Sequence, residues 1–372
     1  MKETTGIILA QEKCDALREL TQPRTAGSVP FGGRYRLIDF TLSNMVNSGI
    51  RTVGVVTRNN YYSLMDHLGT GKEWDLNRKK GGLTILPPSL DVNMKRNTGD
   101  GKIEALYGVL DYIRHCGNKY ILLADANVIA QVNYQELLEY HIEKNAYMTA
   151  VYQKDVFDSK RFANNTFIQV ADDGRIIDVA VHQGIQLHSD MLLGVYIIER
   201  ELLEFLICQC VAHDKLDFER DILQGMASDL DIYAYPISGY AQKIDSVDTF
   251  YQVHRDMLNP DVQEAMFGQG KVLTKVRDEV PTYYSESSCV KNSMIADGCT
   301  IEGTVENSVI FRSVHIGPGA VVRNSVIMQD CEIGANSVVE YCITDKLVTI
   351  SEGRHMIGAE TYPIVVAKGS KI

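Results

Sequence analysis

No apolar run in the 372-residue sequence approaches the ~18 residues that carry a helix across a bilayer, so no membrane-spanning helix is expected. The eight cysteines (Cys14, Cys116, Cys208, Cys210, Cys289, Cys299, Cys331, Cys342) form no C-x-x-C pair, which leaves neither a zinc-site spacing nor a disulfide framework to read. Reduced thiols in a cytoplasmic protein are the expectation. Positive charge is also short: 37 Lys and Arg against 48 Asp and Glu give a formal net charge of −11. Such a surface repels phosphate backbones and anionic headgroups, which argues against nucleic acid and membranes as partners and leaves room only for a local basic pocket. Met1-Lys2-Glu3-Thr4-Thr5 runs straight into Gly6-Ile7-Ile8-Leu9-Ala10, without the charged and apolar regions of an export signal, so export is not expected. The remainder is ordinary globular composition, 45% hydrophobic and 23% charged, with length for about two domains.

Short apolar runs alternate with helical patterns along the first two thirds of the chain. Gly6–Ala10 and Thr52–Thr57 read as buried strands, Asp39–Ser48 as a helix stopped by Gly49, and Tyr61–Leu68 as a helix stopped by Gly69. Ile103, Leu106, Leu110 and Ile113 keep helical spacing, and Tyr120–Leu123 is strand-like. Asn133 followed by Glu136 marks a helix start, and further elements are expected at Tyr147–Tyr152, Leu192–Ile198 and Phe218–Met226. Strands separated by helices predict a mostly parallel, Rossmann-type α/β sheet over residues 1–255. A linker with a helix follows at 256–287. Beyond it, Asn-Ser-Met-Ile at 292–295 recurs as Asn-Ser-Val-Ile at 307–310 and 324–327, with Ile316-Gly317, Ile333-Gly334 and Ile350-Ser351 in a second register. An aliphatic residue every ~6 positions with small residues between is the signature of a parallel β-helix, expected here left-handed over Ser288–Gly358, within a unit of 288–372 that includes the C-terminal tail. Its end coils favour an oligomer.

Ser28-Val29-Pro30-Phe31-Gly32-Gly33-Arg34-Tyr35-Arg36-Leu37-Ile38-Asp39-Phe40, then Leu42-Ser43-Asn44-Met45-Val46-Asn47-Ser48-Gly49-Ile50, resembles the N-terminal signature of bacterial ADP-glucose pyrophosphorylases. His67-Leu68-Gly69 and Gly71-Lys72-Glu73-Trp74-Asp75-Leu76-Asn77-Arg78 extend the match, as does the order of a nucleotidyltransferase-like domain before a left-handed β-helix. The resemblance implies the reaction of glucose-1-phosphate with ATP to give ADP-glucose and pyrophosphate, the activated-sugar step of glycogen synthesis.

In that chemistry an anionic phosphate attacks the α-phosphorus of a triphosphate, so catalysis rests on positioning and on neutralising negative charge. The resemblance implies three elements for this. The family's loop Leu-Ala-Gly-Gly-x-Gly-Thr-Arg-Leu reads here Leu9-Ala10-Gln11-Glu12-Lys13-Cys14-Asp15-Ala16-Leu17: the glycines are replaced, Ala16 stands at the arginine, and Glu12 and Asp15 add carboxylates at the phosphates. Arg-Ala-Lys-Pro becomes Arg24-Thr25-Ala26-Gly27. The two family aspartates that hold Mg²⁺ fall on Asn127 and Lys243, a weak neutral ligand and a repelling cation, although Asp125 and Asp245 stand nearby. The Glu-Lys-Pro of the sugar-phosphate pocket corresponds to Val181-His182-Gln183, which leaves His182 as a remnant anion contact.

Framework motifs over a dismantled reaction centre resemble the regulatory, D-type subunit of the family, and Ser63–Gly69 fits that subclass. The resemblance then implies a catalytic subunit as partner in a heterotetramer, a homo-oligomer when alone, no catalytic residues, and no cofactor. Mg²⁺ returns only in the alternative of an active adenylyltransferase that uses Asp125 or Asp245. A stand-alone sugar-phosphate sensor is the other alternative. Arg34 and Arg36 are the candidate contacts to an anionic effector, with a pair of surface arginines as the plainer reading. Asn133 reads as a helix cap, His315 as a structural residue of the solenoid rather than an acyl-transfer base, and Arg78-Lys79-Lys80 as a solvated loop.

Overall fold

The structure is a computed structural model that describes residues 1, 3–10, 14–57, 60–87, 101–156, 165–181, 188–227, 230–268 and 270–372. Two compact units emerge, and neither is continuous in sequence. The first comprises Met1–Lys13, Phe40–Lys243 and Gly270–Leu273; the second comprises Cys14–Asp39, Ile244–Gln269 and Thr274–Ile372. A single division near residue 255, as the alternation of elements suggests, therefore differs from the division the backbone makes. Residues 14–39 and the helices that follow residue 244 belong with the solenoid.

The first unit is built on a nine-stranded sheet. Its strands are β1 (Thr4–Leu9), β2 (Thr52–Val56), β3 (Gly82–Leu86), β4 (Tyr120–Asp125), β6 (Met148–Gln153), β7 (Phe167–Val170), β8 (Ile176–Ala180), β9 (Asp190–Glu199) and β10 (Ile232–Pro236), while β5 (Val128–Ala130) and β11 (Ala241–Lys243) form a separate antiparallel pair. The order β4-β1-β2-β3 is parallel throughout, as the βαβ alternation predicts. Strand β9 then joins β4, β6 and β7 antiparallel, so the far side of the sheet is mixed. Ile7, Leu9, Ile121 and Leu123 are buried on one face of the sheet and Ile8, Leu122 and Ala124 on the other, which is why these strands read as continuous apolar runs.

Helices α1 (Ile38–Asn47), α2 (Tyr62–Leu68), α3 (Lys102–Gly108), α4 (Leu110–His115) and α5 (Tyr134–Glu143) are where the sequence patterns place them, and a further helix, α6 (Arg200–Ala212), follows β9. Asn133 caps α5, its side chain accepting from the Gln135 N–H at 3.0 Å, and Asn44 of α1 donates to the Ala130 carbonyl of β5 at 2.8 Å. The helix expected at Phe218–Met226 is a π-helical segment over Glu219–Gln224, a wide turn that brings an acidic side chain inward.

In the second unit three parallel sheets of five strands each stack into the left-handed parallel β-helix that the repeat predicts. The coils bury Ile301, Ile316, Ile333 and Ile350 from one sheet and Val305, Val322 and Val339 from the next. The Asn-Ser-x-Ile repeat is explained residue by residue. Asn292, Asn307 and Asn324 turn each corner at φ of 42°, 48° and 45°, a region that Asn tolerates. The following Ser hydroxyl accepts the amide of the equivalent residue one coil on: Ser293 Oγ from Ser308 N, Ser308 Oγ from Ser325 N, and Ser325 Oγ from Cys342 N, each at 3.1 Å. All eight cysteines are free thiols, so this ladder and the aliphatic column hold the coils without cross-links. Replacing Ser325 with Ala strands the Cys342 amide in a buried site and is expected to cost about 1–3 kcal/mol in chemical denaturation. A change under about 0.5 kcal/mol would show that the ladder is ornamental.

The signature around Phe31-Gly32-Gly33 forms a tight hairpin between Pro30–Phe31 and Tyr35–Arg36, with Gly32 and Gly33 at φ of 56° and 82°. Helix α7 (Val247–Asp256) fastens it. The Gly32 N–H donates to His254 Nε2 at 3.2 Å while His254 Nδ1–H donates to the Phe250 carbonyl at 2.8 Å, which sets the imidazole neutral; burial lowers its pKa to about 4.

Candidate functional site

Asp125 ends β4 and is completely buried in the first unit. Lys102, the first residue of α3, places its Nζ 2.9 Å from Asp125 Oδ2, and Lys243 at the end of β11 places its Nζ 3.1 Å from the same oxygen. Lys102 also reaches Glu219 Oε1 of the π-helical segment at 2.6 Å, and the Tyr196 hydroxyl donates to that oxygen at 3.2 Å. Two ammonium groups and two carboxylates thus meet from four separate elements. Backbone and small residues make the room. Thr41 of α1 donates to the Asp125 carbonyl at 3.0 Å, and Gly194 of β9, at φ +70°, passes so close that a Cβ there would stand 2.0 Å from Asp125 Oδ2.

Burial alone would push the Asp125 carboxyl up, but the ammoniums of Lys102 and Lys243 hold it below the usual carboxylate range. Tyr196 is driven the other way, well above its ordinary value, by burial and by the Glu219 and Asp125 carboxylates. Tyr196 is therefore a neutral donor and Asp125 a charged acceptor.

Lys243 pairs with Val128, and Asn127 is the turn residue just before Val128, so the two positions that the family resemblance aligns with metal-binding aspartates come close together at one end of the β5–β11 pair. Asn127 is buried beside them. The Mg²⁺ that the resemblance implies needs oxygen donors at about 2.0–2.1 Å in octahedral array. These residues do not fit it: the Asp125 oxygen that would ligate is held by two ammoniums, and no group of three or more His, Cys, Asp or Glu gathers among the described residues. Asp245, the other aspartate considered, belongs to the start of α7, where its Oδ1 accepts from the Thr249 hydroxyl at 3.3 Å.

The other sequence-derived positions are dispersed. Asp15 and Ala16 lie exposed in the short helix Asp15–Leu20 of the second unit, whereas Gln11, Glu12, Lys13 and His182 lie outside the described residues. His315 pairs with Glu302 at 3.0 Å on the outer surface of the solenoid. Arg78-Lys79-Lys80 is exposed, Arg78 pairing with Asp75.

Arg34 and Arg36 have different surroundings, both within the second unit. Arg34 extends over the Tyr35 ring, 5.7 Å from its centroid; Arg312, only 6% exposed, has its pKa depressed by burial first and then by the Arg34 guanidinium. Arg36 belongs to a basic group with Arg24, Arg277 and Lys346. Burial first, then the guanidiniums of Arg36 and Arg24, pull the Lys346 ammonium down to about 7 against the opposing pull of Asp345. Asp345 is itself fully buried and paired to Arg24, with Nη1–Oδ1 and Nη2–Oδ2 both at 2.9 Å. Lys102 and Glu219 in the first unit, and Arg277, Arg312 and Lys346 in the second, carry no motif in the sequence; within each unit the fold alone assembles them.

The nucleotidyl transferase family model matches residues 5–235, and the GlmU-like C-terminal hexapeptide model matches 280–362. The chain is 38% identical over 368 residues to the glycogen biosynthesis protein GlgD of Bacillus subtilis, covering 98% of this chain and 95% of that protein. It is 33% identical over 327 residues to the glucose-1-phosphate adenylyltransferases of Fusobacterium nucleatum and Geobacillus stearothermophilus, covering 86% and 87% of this chain and 84% of each of theirs. With the nucleotidyl transferase match over more than half of its length and these identities over most of it, the chain belongs to the ADP-glucose pyrophosphorylase (glucose-1-phosphate adenylyltransferase) family.

Proposed function

We propose that the chain is a regulatory, catalytically impaired subunit of ADP-glucose pyrophosphorylase. It assembles in the cytoplasm with a catalytic subunit and modulates ADP-glucose synthesis from ATP and glucose-1-phosphate for glycogen. The observation that carries this reading is the lysine pair on Asp125. Adenylyl transfer needs a cation that bridges and neutralises the phosphates, and here the positions available for one are filled by side chains that repel it. The intact scaffold, with its effector-side hairpin and β-helix, retains what an assembling subunit uses.

The basic group of Arg24, Arg36, Arg277 and Lys346 supports a role in sensing an anionic phosphate effector. Lys346, poised near neutrality, becomes fully charged when an anion joins it. Arg34, beside Arg312, is the outer contact of the same unit. Coupling to the partner would run through shared interfaces that bias its conformational equilibrium.

The test is reconstitution with the catalytic glucose-1-phosphate adenylyltransferase of the same cell. The purified chain alone is expected to make ADP-glucose at background level in saturating Mg²⁺. The mixture is expected to co-elute as one hetero-oligomer with a changed rate or effector response. Separate elution with unchanged kinetics would sink the proposal, and robust Mg²⁺-dependent synthesis by the chain alone would establish the active alternative.

A further inference from the structure

We propose that Lys102 and Lys243 are a built-in surrogate for the divalent cation of this fold, their two ammonium charges balanced by Asp125 and Glu219 as one metal ion would be. The charge count is the first support: two ammoniums and two carboxylates close to neutrality inside the protein, as a dication on two carboxylates does. Geometry is the second. Lys102 Nζ stands 2.9 Å from Asp125 Oδ2 and 2.6 Å from Glu219 Oε1, one cation shared between two carboxylates as a metal ion would be, and Lys243 Nζ adds the second positive charge 3.1 Å from the same Asp125 oxygen. The other oxygen, Oδ1, is buried with no hydrogen-bond partner, so the carboxylate is committed to the lysine side alone.

The third support is connectivity. Lys102 opens α3, Asp125 ends β4, Glu219 opens the π-helical segment and Lys243 ends β11. A metal ion in such a place ties elements together only when bound, whereas covalently attached ammoniums tie them permanently. That end of the sheet is thereby held in one arrangement without any ligand. Tyr196, kept protonated by its surroundings, supplies the remaining hydrogen bond to Glu219 and completes the shell.

This inference rests on the lysine-filled site but not on any partner, so it is tested on the chain alone. Thermal unfolding is followed by fluorescence of Trp74, the single tryptophan, which is fully buried in the same unit. The midpoint of the natural chain is expected to be the same within about 1 °C in EDTA and in millimolar Mn²⁺, since the ammoniums already occupy the place the ion would take. The double substitution Lys102→Met/Lys243→Met leaves Asp125 and Glu219 facing each other and is expected to lower the midpoint by about 5 °C or more in EDTA. Millimolar Mn²⁺ should restore at least half of that loss. The surrogate reading is overturned by a natural chain that gains as much from Mn²⁺ as the variant, by a variant that loses nothing, or by a loss that Mn²⁺ leaves untouched. If the double variant does not fold, the single Lys243→Met chain is measured against the same criteria. Reconstitution with a catalytic partner has no bearing on these outcomes, so failure here and failure of the regulatory reading are separable.

Discussion

Substitution of Asp125 by Asn is expected to cost about 3–5 kcal/mol of stability, because it removes from a buried charge cluster the carboxylate that both Lys102 and Lys243 approach. The size follows from burial: Asp125 is 0% exposed, so water cannot screen the charges left behind. The same group sets a pH dependence. Its carboxyl is held below the usual range by Lys102 and Lys243, so its contribution is complete above the unfolded-state value of roughly 4 and is lost as pH falls through the lower folded value. The natural chain should therefore lose stability steeply in acid, and the Asn variant should show a flatter curve there. Urea denaturation at pH 7 and at successively lower pH values, read by Trp74 fluorescence, checks both statements. A loss below about 1 kcal/mol at pH 7 would mean that the cluster is less desolvated than its burial indicates.

Much of this molecule is legible in its sequence, for identifiable reasons. Buried parallel strands such as Gly6–Ala10 announce themselves as unbroken aliphatic runs, and the solenoid does so through repetition, since three successive coils present the same Asn corner, Ser staple and aliphatic wedge before Tyr341-Cys342 takes the place of Asn-Ser. The antiparallel entry of β9 was not legible, because a run such as Leu192–Ile198 has the same apolar character in either direction. Nor was the division into units: residues 14–39 look like a continuation of the first βα crossover, yet they group with the β-helix through pairs such as Arg24 and Asp345, which are 321 residues apart. At the site, Asn127 and Lys243 were identifiable by registering motifs, and Lys243 does stand on the strand beside Asn127. Lys102 and Glu219 were not, since a lone lysine before a helix and a lone glutamate in a polar stretch have the bland reading of solvated charges. Only the fold brings them to 2.6 Å.

The Arg24–Asp345 pair is expected to be the corresponding keystone of the second unit, with a loss of about 3–5 kcal/mol for Arg24→Met or Asp345→Asn. Arg24 and Asp345 are 3% and 0% exposed, and Asp345 Oδ1 also accepts the Lys346 amide at 2.7 Å, so each single substitution strands a buried charge or donor. The double variant should lose clearly less than the sum of the singles, because removing both partners leaves no uncompensated charge; a purely additive result would show that the two side chains act independently. Lys346 distinguishes the two substitutions by sign. Arg24 pushes its ammonium down and Asp345 pulls it up, so Arg24→Met should raise the Lys346 titration above about 7 while Asp345→Asn should lower it further. Titration of ¹⁵N-labelled Lys346 by NMR reads that sign directly. Opposite shifts would tie the anion-facing lysine to the buried pair beneath it, whereas equal or absent shifts would detach the basic group from the scaffold and remove its claim to sense an effector.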